Sequence, residues 1–284
     1  MPPKKETDNR TAEGGMMQSL KDILICIKTY PEYSSKYTET VCTAGILKES
    51  RRLVRLYPIA YRYLEGTRQF QKYQWIKARI EKNLQDDRPE SYKIANNSIS
   101  LESVIDTANN WGERKQWVMY PENVYESIEA LGAAQSRQGT SLGIIKPKDI
   151  VHFTINQKTK EEIKEAESKK YQIMQQQELL REKKDLEIIP VRFTLHFICN
   201  DTNCTKPHKI SILDWEFAEL YRKECGRLGW EAKIKQKIDQ LCAKDRDTHL
   251  FMGNMRGHPQ TFCILGFFWP KREPEKVIQR SLFS

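Results

Sequence analysis

Short runs of alternating apolar and polar positions dominate the first half of the chain. "DILICIKTY" (22–30) alternates, "TVCTAGI" (40–46) and "RLVRLYPI" (52–59) are rich in β-formers, and "YQWIKARIEKN" (73–83) alternates again around Trp75 and Ile76. "KQWVMYP" (115–121) and "KDIVHFTINQ" (148–157) read as two further strands. Between them, "PENVYESIEALG" has helical spacing at Val124, Ile128 and Leu131, with Gly132 placed to stop the helix. Residues 20–157 are therefore expected to form a β-rich domain, built as a small barrel. Residues 1–18 are polar, with the composition of a disordered tail.

The pattern changes after residue 157. Residues 158–187 lack Gly and Pro, are rich in Lys, Glu and Gln, and carry a thin apolar stripe at Ile163, Ala166, Ile173 and Leu180. This predicts a solvated connecting helix, about 45 Å long if continuous. It serves either as a spacer or as a contact for a protein partner.

From Pro190 the spacing is strand-like again. In "VRFTLHFIC" the residues Val191, Phe193, Leu195, Phe197 and Cys199 share one face, and "HKISIL" follows as a second strand. "DWEFAELYRKECGRLG" predicts a helix capped by Asp214, with Phe217, Leu220, Tyr221 and Leu228 on its buried side. "WEAKIKQKIDQLC" predicts a second, buried through Trp230, Ile234, Ile238 and Leu241. "THLFMGN" and "TFCILGFFWP" close the chain as two strands. The fold class is α+β: a β-rich domain (20–157), a charged helical linker (158–187) and a C-terminal layer domain of order β-β-α-α-β-β (188–284).

Charge adds a partner to this picture. The 284 residues carry a formal net charge of +9 and a pI near 9.1, which points to a polyanion, and DNA is the expected one. Basic and aromatic residues interleave in the first domain, and Arg51, Arg52, Arg55, Arg62, Lys36 and Tyr37 are candidates for phosphate and base contacts. The loop "GNMRGHPQ" (253–260) adds Asn254, Arg256 and His258 as polar readers. The longest apolar run, Phe262 to Trp269, is too short to span a bilayer, so no membrane is expected. The N-terminus has no signal-peptide core, and seven cysteines scattered in apolar patterns imply reduced thiols; a cytoplasmic location is expected.

Two groups carry candidate chemistry. Cys199, Cys204 and His208 follow C-x4-C-x3-H, the ligand types and short spacing of a structural zinc site. A fourth ligand would come from His196, His249, His258 or Cys225, with His196 disfavoured by strand alternation. Otherwise Cys199 is simply core and the other two sit in a turn. Asp214 and Glu216 form the second group. They are either a cap with a first-turn acid, or a catalytic acid (Asp214) with a supporting neighbour (Glu216). Rotation of 200° between positions two apart sets their side chains on different sides of the helix. "DWEF" lacks the lysine that a metal-dependent nuclease would place after its acids.

The stretches "TYPEYSSKYTETVCTAGI", "RLYPIAYR", C-x4-C-x3-H, "ILDWE…LYRK" and "TFCILGFFWP" together resemble a family of uncharacterised bacterial proteins. The resemblance covers nearly the whole chain after residue 20 and brings no established activity. The front half also resembles PUA-type nucleic-acid-reading domains, and a prokaryotic antiviral setting is in keeping with the resemblance. The reading taken forward is a DNA-binding protein acting as a hydrolase, a DNA glycosylase in preference to a nuclease. A non-enzymatic reader with structural zinc, and a protein-interaction adaptor, stand beside it.

Overall fold

The computed structural model describes residues 18–34, 38–176, 184–202 and 204–274. Its first part contains β1 (Ser19–Lys28), the small hairpin β2 (Glu32–Ser34) and β3 (Thr38–Thr40), β4 (Thr43–Leu47), β5 (Leu53–Tyr57), β6 (Gln74–Lys82), β7 (Ser91–Ile94) and β8 (Ser100–Val104). Strand order β1-β4-β5-β7-β6, with β6 returning to pair with β1, closes a five-stranded barrel, and β8 is added outside β6. The small barrel expected from the sequence is present. Counting only barrel strands in chain order, the first pairs with the second and fourth, and the third runs parallel to the fifth. This is the Greek-key order of an OB barrel.

The chain continues through α1 (Ala108–Val118), β9 (Val124–Tyr125), α2 (Ile128–Gln138), β10 (Leu142–Ile145), β11 (Pro147–Gln157), α3 (Lys160–Gln176), β12 (Val191–Cys199), β13 (His208–Ile212), α4 (Trp215–Glu224), α5 (Trp230–Leu241), β14 (His249–Met255) and β15 (His258–Phe268). A mixed seven-stranded sheet has the order β11-β12-β13-β15-β14-β10-β9. The expected β-β-α-α-β-β run is there as β12, β13, α4, α5, β14 and β15. The strands between residues 124 and 157 pair with this sheet and not with the barrel, so sheet pairing crosses the division expected at 157.

Three local readings change. Residues 115–118, expected as strand, end α1 instead, and Val118 packs in the apolar cluster between barrel and sheet. The helix expected to stop at Gly132 runs through it to Gly139, which takes the left-handed conformation (φ 74°) that ends helices. Its start is set by Ser127, whose side chain accepts a hydrogen bond from the Ala130 N–H. The connecting helix does not reach residue 187: within the described residues α3 covers Lys160–Gln176, about 25 Å, and residues 184–190 are not helical. Leu180 lies outside the described residues. No helix among those described is long and apolar enough to cross a membrane.

Two apolar layers cover the seven-stranded sheet, one under its helices and one against the barrel. One face of β12 (Val191, Phe193, Leu195, Phe197, Cys199) packs with Phe217 and Tyr221 of α4 and with Ile234, Ile238 and Leu241 of α5, as expected. Leu228, expected in this core, is fully exposed because the chain turns through Cys225–Gly229 between the helices. The second layer lies outside the barrel. Leu24, Cys26, Ile27, Ala44, Ile46 and Leu53 pack against Leu142, Ile144, Phe251, Cys263, Leu265 and Phe268 of the sheet. Ile23 and Ile25 fill the barrel interior. Hence all five residues Ile23 to Ile27 are buried, where simple alternation would expose half of them.

Candidate functional site

Asp214 stands where the β13 side of the sheet meets the mouth of the barrel. Its backbone bridges Thr29 at the end of β1, and its side chain caps α4 by accepting from the Glu216 N–H at 2.9 Å. The cap expected from the sequence is therefore realised. The connection between β5 and β6 brings in Lys72, whose Nζ donates to Asp214 Oδ1 (2.9 Å) and Oδ2 (2.8 Å) and lies 3.0 Å from Glu216 Oε1. The helical rotation separating Asp214 and Glu216 does not keep them apart. One ammonium bridges both, because Asp214 precedes the helix in extended conformation (ψ 130°).

Exposure divides the two acids. Asp214 is 3 % exposed, whereas the Glu216 side chain is 58 % exposed. Burial pushes the Asp214 carboxyl up, against the pull of Lys72. At Glu216 desolvation is outweighed by Lys72, whose charge and hydrogen bond hold that carboxyl below its usual value. Burial alone would lower Lys72, but the two carboxylates outweigh it and raise its pKa.

Lys28, the last residue of β1, lies next to this pair. Its Nζ sits 4.2 Å from the Tyr61 ring centroid and 5.2 Å from that of Trp215, and donates to the Phe70 carbonyl at 3.3 Å. Tyr61 and Trp215 meet edge to face at 5.2 Å, and Tyr30 approaches Trp215 at 6.3 Å. Burial, followed by the repulsion of Lys72, lowers the Lys28 pKa to about 8. Lys28, Tyr61 and Lys72 belong to the basic-aromatic runs of the sequence. Nothing in the sequence joins them to Trp215 and Asp214, since the Lys72–Asp214 contact spans 142 positions.

The arginines of the first domain are largely engaged by the protein itself. Arg55 is buried and donates to the carbonyls of Ser141 (3.2 Å) and Asn254 (3.5 Å) and to Cys42 Sγ (2.9 Å). It is a strut between barrel and sheet, not a surface cation. Arg51 donates to the Gln116 carbonyl and stacks over Trp117 and Tyr120, and Arg52 pairs with Glu122. Arg62 donates to the carbonyls of Lys184 and Asp185 and pairs with buried Glu39 at 3.4 Å. In the 253–260 loop, Asn254 is buried and donates to the Pro259 carbonyl, Arg256 donates to the Gln85 carbonyl at 2.6 Å, and His258 is exposed. Lys36 and Tyr37 lie outside the described residues. Replacing Arg55 with Met should therefore lower stability by about 1.5–3 kcal/mol, the range for charged hydrogen bonds, and leave polyanion affinity unchanged. Denaturant unfolding beside a binding titration checks both halves.

Cys199, Cys204 and His208 do converge. Their donor atoms all lie within 4.8 Å of one another, with Cys204 Sγ 3.2 Å from His208 Nε2. Cys199 closes β12, His208 opens β13, and the turn between them presents Cys204. Cys199 is fully buried on the core face and also joins this cluster, so the core and ligand readings of that residue coexist. The set could hold a metal ion, and two thiols with one imidazole suit zinc. His196 faces His152 instead, at 5.6 Å between rings, and buried His249 turns Nδ1 towards the Asp247 carbonyl. All seven cysteines are free of disulfides.

Two family models match the chain, one described as a domain of unknown function (DUF8758) over residues 19–120 and one as a domain of unknown function (DUF8757) over residues 124–284. The first range contains the barrel and α1, and the second contains the seven-stranded sheet with its helices. No curated protein matches the chain. Among solved structures it is similar to a murine DNA-binding protein bound with double-stranded DNA, at 11 % identity over 91 % of this chain and 98 % of that one, with a TM-score of 0.28. It is also similar to a replication protein A heterotrimer bound to single-stranded DNA, at 10 % identity over 88 % of this chain and 46 % of that one, with a TM-score of 0.30. Neither likeness is close enough to bear on function. The second family model spans more than half of the sequence, and the chain belongs to the family described as a domain of unknown function (DUF8757).

Proposed function

We propose that the protein binds nucleic acid, with DNA as the expected partner, through the rim where the barrel mouth meets α4. The observation that carries this reading is the Lys28 amine facing the partly buried Tyr61 and Trp215 rings. Ring faces suit stacking of unpaired bases, and an adjacent cation suits a phosphate. The OB strand order and the net charge of +9 support it as well. The face of β4 and β5, which an OB barrel offers to oligonucleotides, lies beneath the sheet, and the rim lies beside the loop after the first barrel strand, another surface such barrels use.

The test is a pH series of oligonucleotide affinity. With Lys28 near 8, affinity should fall severalfold between about pH 7 and pH 9 as the amine loses its proton. Lys72, raised, and Glu216, lowered, keep their charges over that range, and Asp214 is held against Lys72. Lys28→Arg should remove the pH dependence and Lys28→Met should weaken binding throughout. Wild-type affinity that is flat across the range would count against this rim.

Base excision is a second reading, and one observation favours it: an amine lowered towards neutrality lies beside two carboxylates. In this reading the roles expected from the sequence are exchanged: Glu216 is the carboxylate open to a substrate, and buried Asp214 fixes Lys72 and the start of the helix. Incubation with modified and unmodified DNA, followed by assay for abasic sites and strand breaks, separates the readings. Abasic sites that disappear with Glu216→Gln support excision, and intact DNA leaves binding alone.

A further inference from the structure

The geometry points to a closed zinc site in which Glu129 of α2 is the fourth ligand beside Cys199, Cys204 and His208. Glu129 Oε1 lies 3.4 Å from His208 Nε2, the nitrogen that Cys204 Sγ approaches at 3.2 Å. A tetrahedral zinc with bonds of about 2.0–2.1 Å to nitrogen or oxygen and about 2.3 Å to sulfur sets neighbouring donors roughly 3.3–3.8 Å apart. The Glu129–His208 distance matches that spacing and the Cys204–His208 distance is slightly shorter; Glu129 is not among the donors that already lie within 4.8 Å of one another, so its exposed side chain must turn towards the sulfurs to complete the shell. A shared nitrogen also argues against a cysteine–histidine–glutamate relay. In a relay the two ring nitrogens serve different partners, one for the nucleophile and one for the acid. Here both partners approach Nε2, as they would around an ion set between them.

The backbone around the sulfurs fits the same assignment. The Ile128 N–H points at Cys199 Sγ at 3.4 Å, and the Cys199 N–H points at Cys204 Sγ at 3.3 Å. Backbone donors aimed at sulfur orient the two Sγ atoms as outer-shell partners do. Ser127 caps α2 and holds its first turn, with Glu129 in it, against the end of β12. The four donors come from α2, the end of β12, the connecting turn and the start of β13. Zinc would fasten the first turn of α2 to the β12–β13 connection. With four protein ligands the ion has no open position, so its role is structural.

The experiment uses the full chain. Purified protein should carry about one zinc, and X-ray absorption should give two sulfur and two nitrogen or oxygen neighbours. Cobalt substituted for zinc should show the intense visible bands of a tetrahedral ion. Glu129→Gln should weaken zinc at least roughly tenfold in chelator competition, since outer-shell changes alone cost 10–100-fold, and should shift the cobalt bands. Glu129→His, which supplies another zinc ligand, should restore binding. The assignment is overturned by protein that binds no zinc, by fewer than two sulfur neighbours, or by Glu129→Gln with unchanged affinity and spectrum. If Glu129→Gln does not fold, Glu129→His decides: folded and zinc-bound supports the fourth-ligand role, and unfolded with zinc supplied contradicts it.

Discussion

Lys72→Met should destabilise the protein by about 3–5 kcal/mol, the scale for removing one partner of a buried ion pair. The cause is the carboxylate left behind. Asp214 is buried, both its oxygens accept from Lys72, and burial already pushes its carboxyl upward. Without the ammonium, the folded state holds an acid that prefers its proton more strongly than the unfolded chain does. The loss should therefore be fully present at neutral pH and shrink as pH falls through the raised carboxyl pKa. Lys72→Met/Asp214→Asn should recover much of it, because Asn still caps α4 and carries no charge. Urea unfolding of wild type, Lys72→Met, Asp214→Asn and the double variant at neutral and mildly acidic pH measures this. A single variant as stable as wild type, or a deficit that grows on acidification, would show that the pair does not hold the junction as described.

Phe251→Ala should cost about 3–5 kcal/mol and should act on both halves of the molecule. Phe251 comes from β14 and is fully buried, yet its cluster includes Leu24, Cys26, Ile27, Ala44 and Ile46 of the barrel. Truncation empties the layer that joins barrel to sheet. Thermal unfolding followed by far-ultraviolet circular dichroism and by tryptophan fluorescence should move down together in one transition. Two separate transitions, with only one displaced, would mean that barrel and sheet unfold independently.

The parts legible in the sequence are those decided by local periodicity. "VRFTLHFIC" gives the bounds of β12 because one face of the strand is core and the other is not, and α5 follows its apolar spacing at Ile234, Ile238 and Leu241. Local pattern fails where tertiary contact sets burial. β1 is apolar on both faces because a second sheet covers the barrel, and the full exposure of Leu228 follows from a turn that helical spacing does not reveal. The same division holds at the candidate sites. Cys199, Cys204 and His208 are local and were visible as a spacing. Glu129 lies 70 positions before the first of them, and Lys72 lies 142 positions before Asp214. Local sequence offers Arg55 as a phosphate contact, because its use by carbonyls of the distant Ser141 and Asn254 leaves no trace there.

Nucleic-acid binding itself is tested most directly by one titration. Anisotropy of a labelled single-stranded oligonucleotide, measured at several salt concentrations and at neutral pH, gives affinity and its salt slope together. The account predicts binding at low salt. It also predicts that the logarithm of affinity falls linearly with that of salt, with a slope of about −3 if roughly four phosphates are neutralised. Lys28→Met and Trp215→Ala should each weaken binding. No binding at low salt, or equal affinity at every salt concentration, would contradict the proposal that this protein binds nucleic acid.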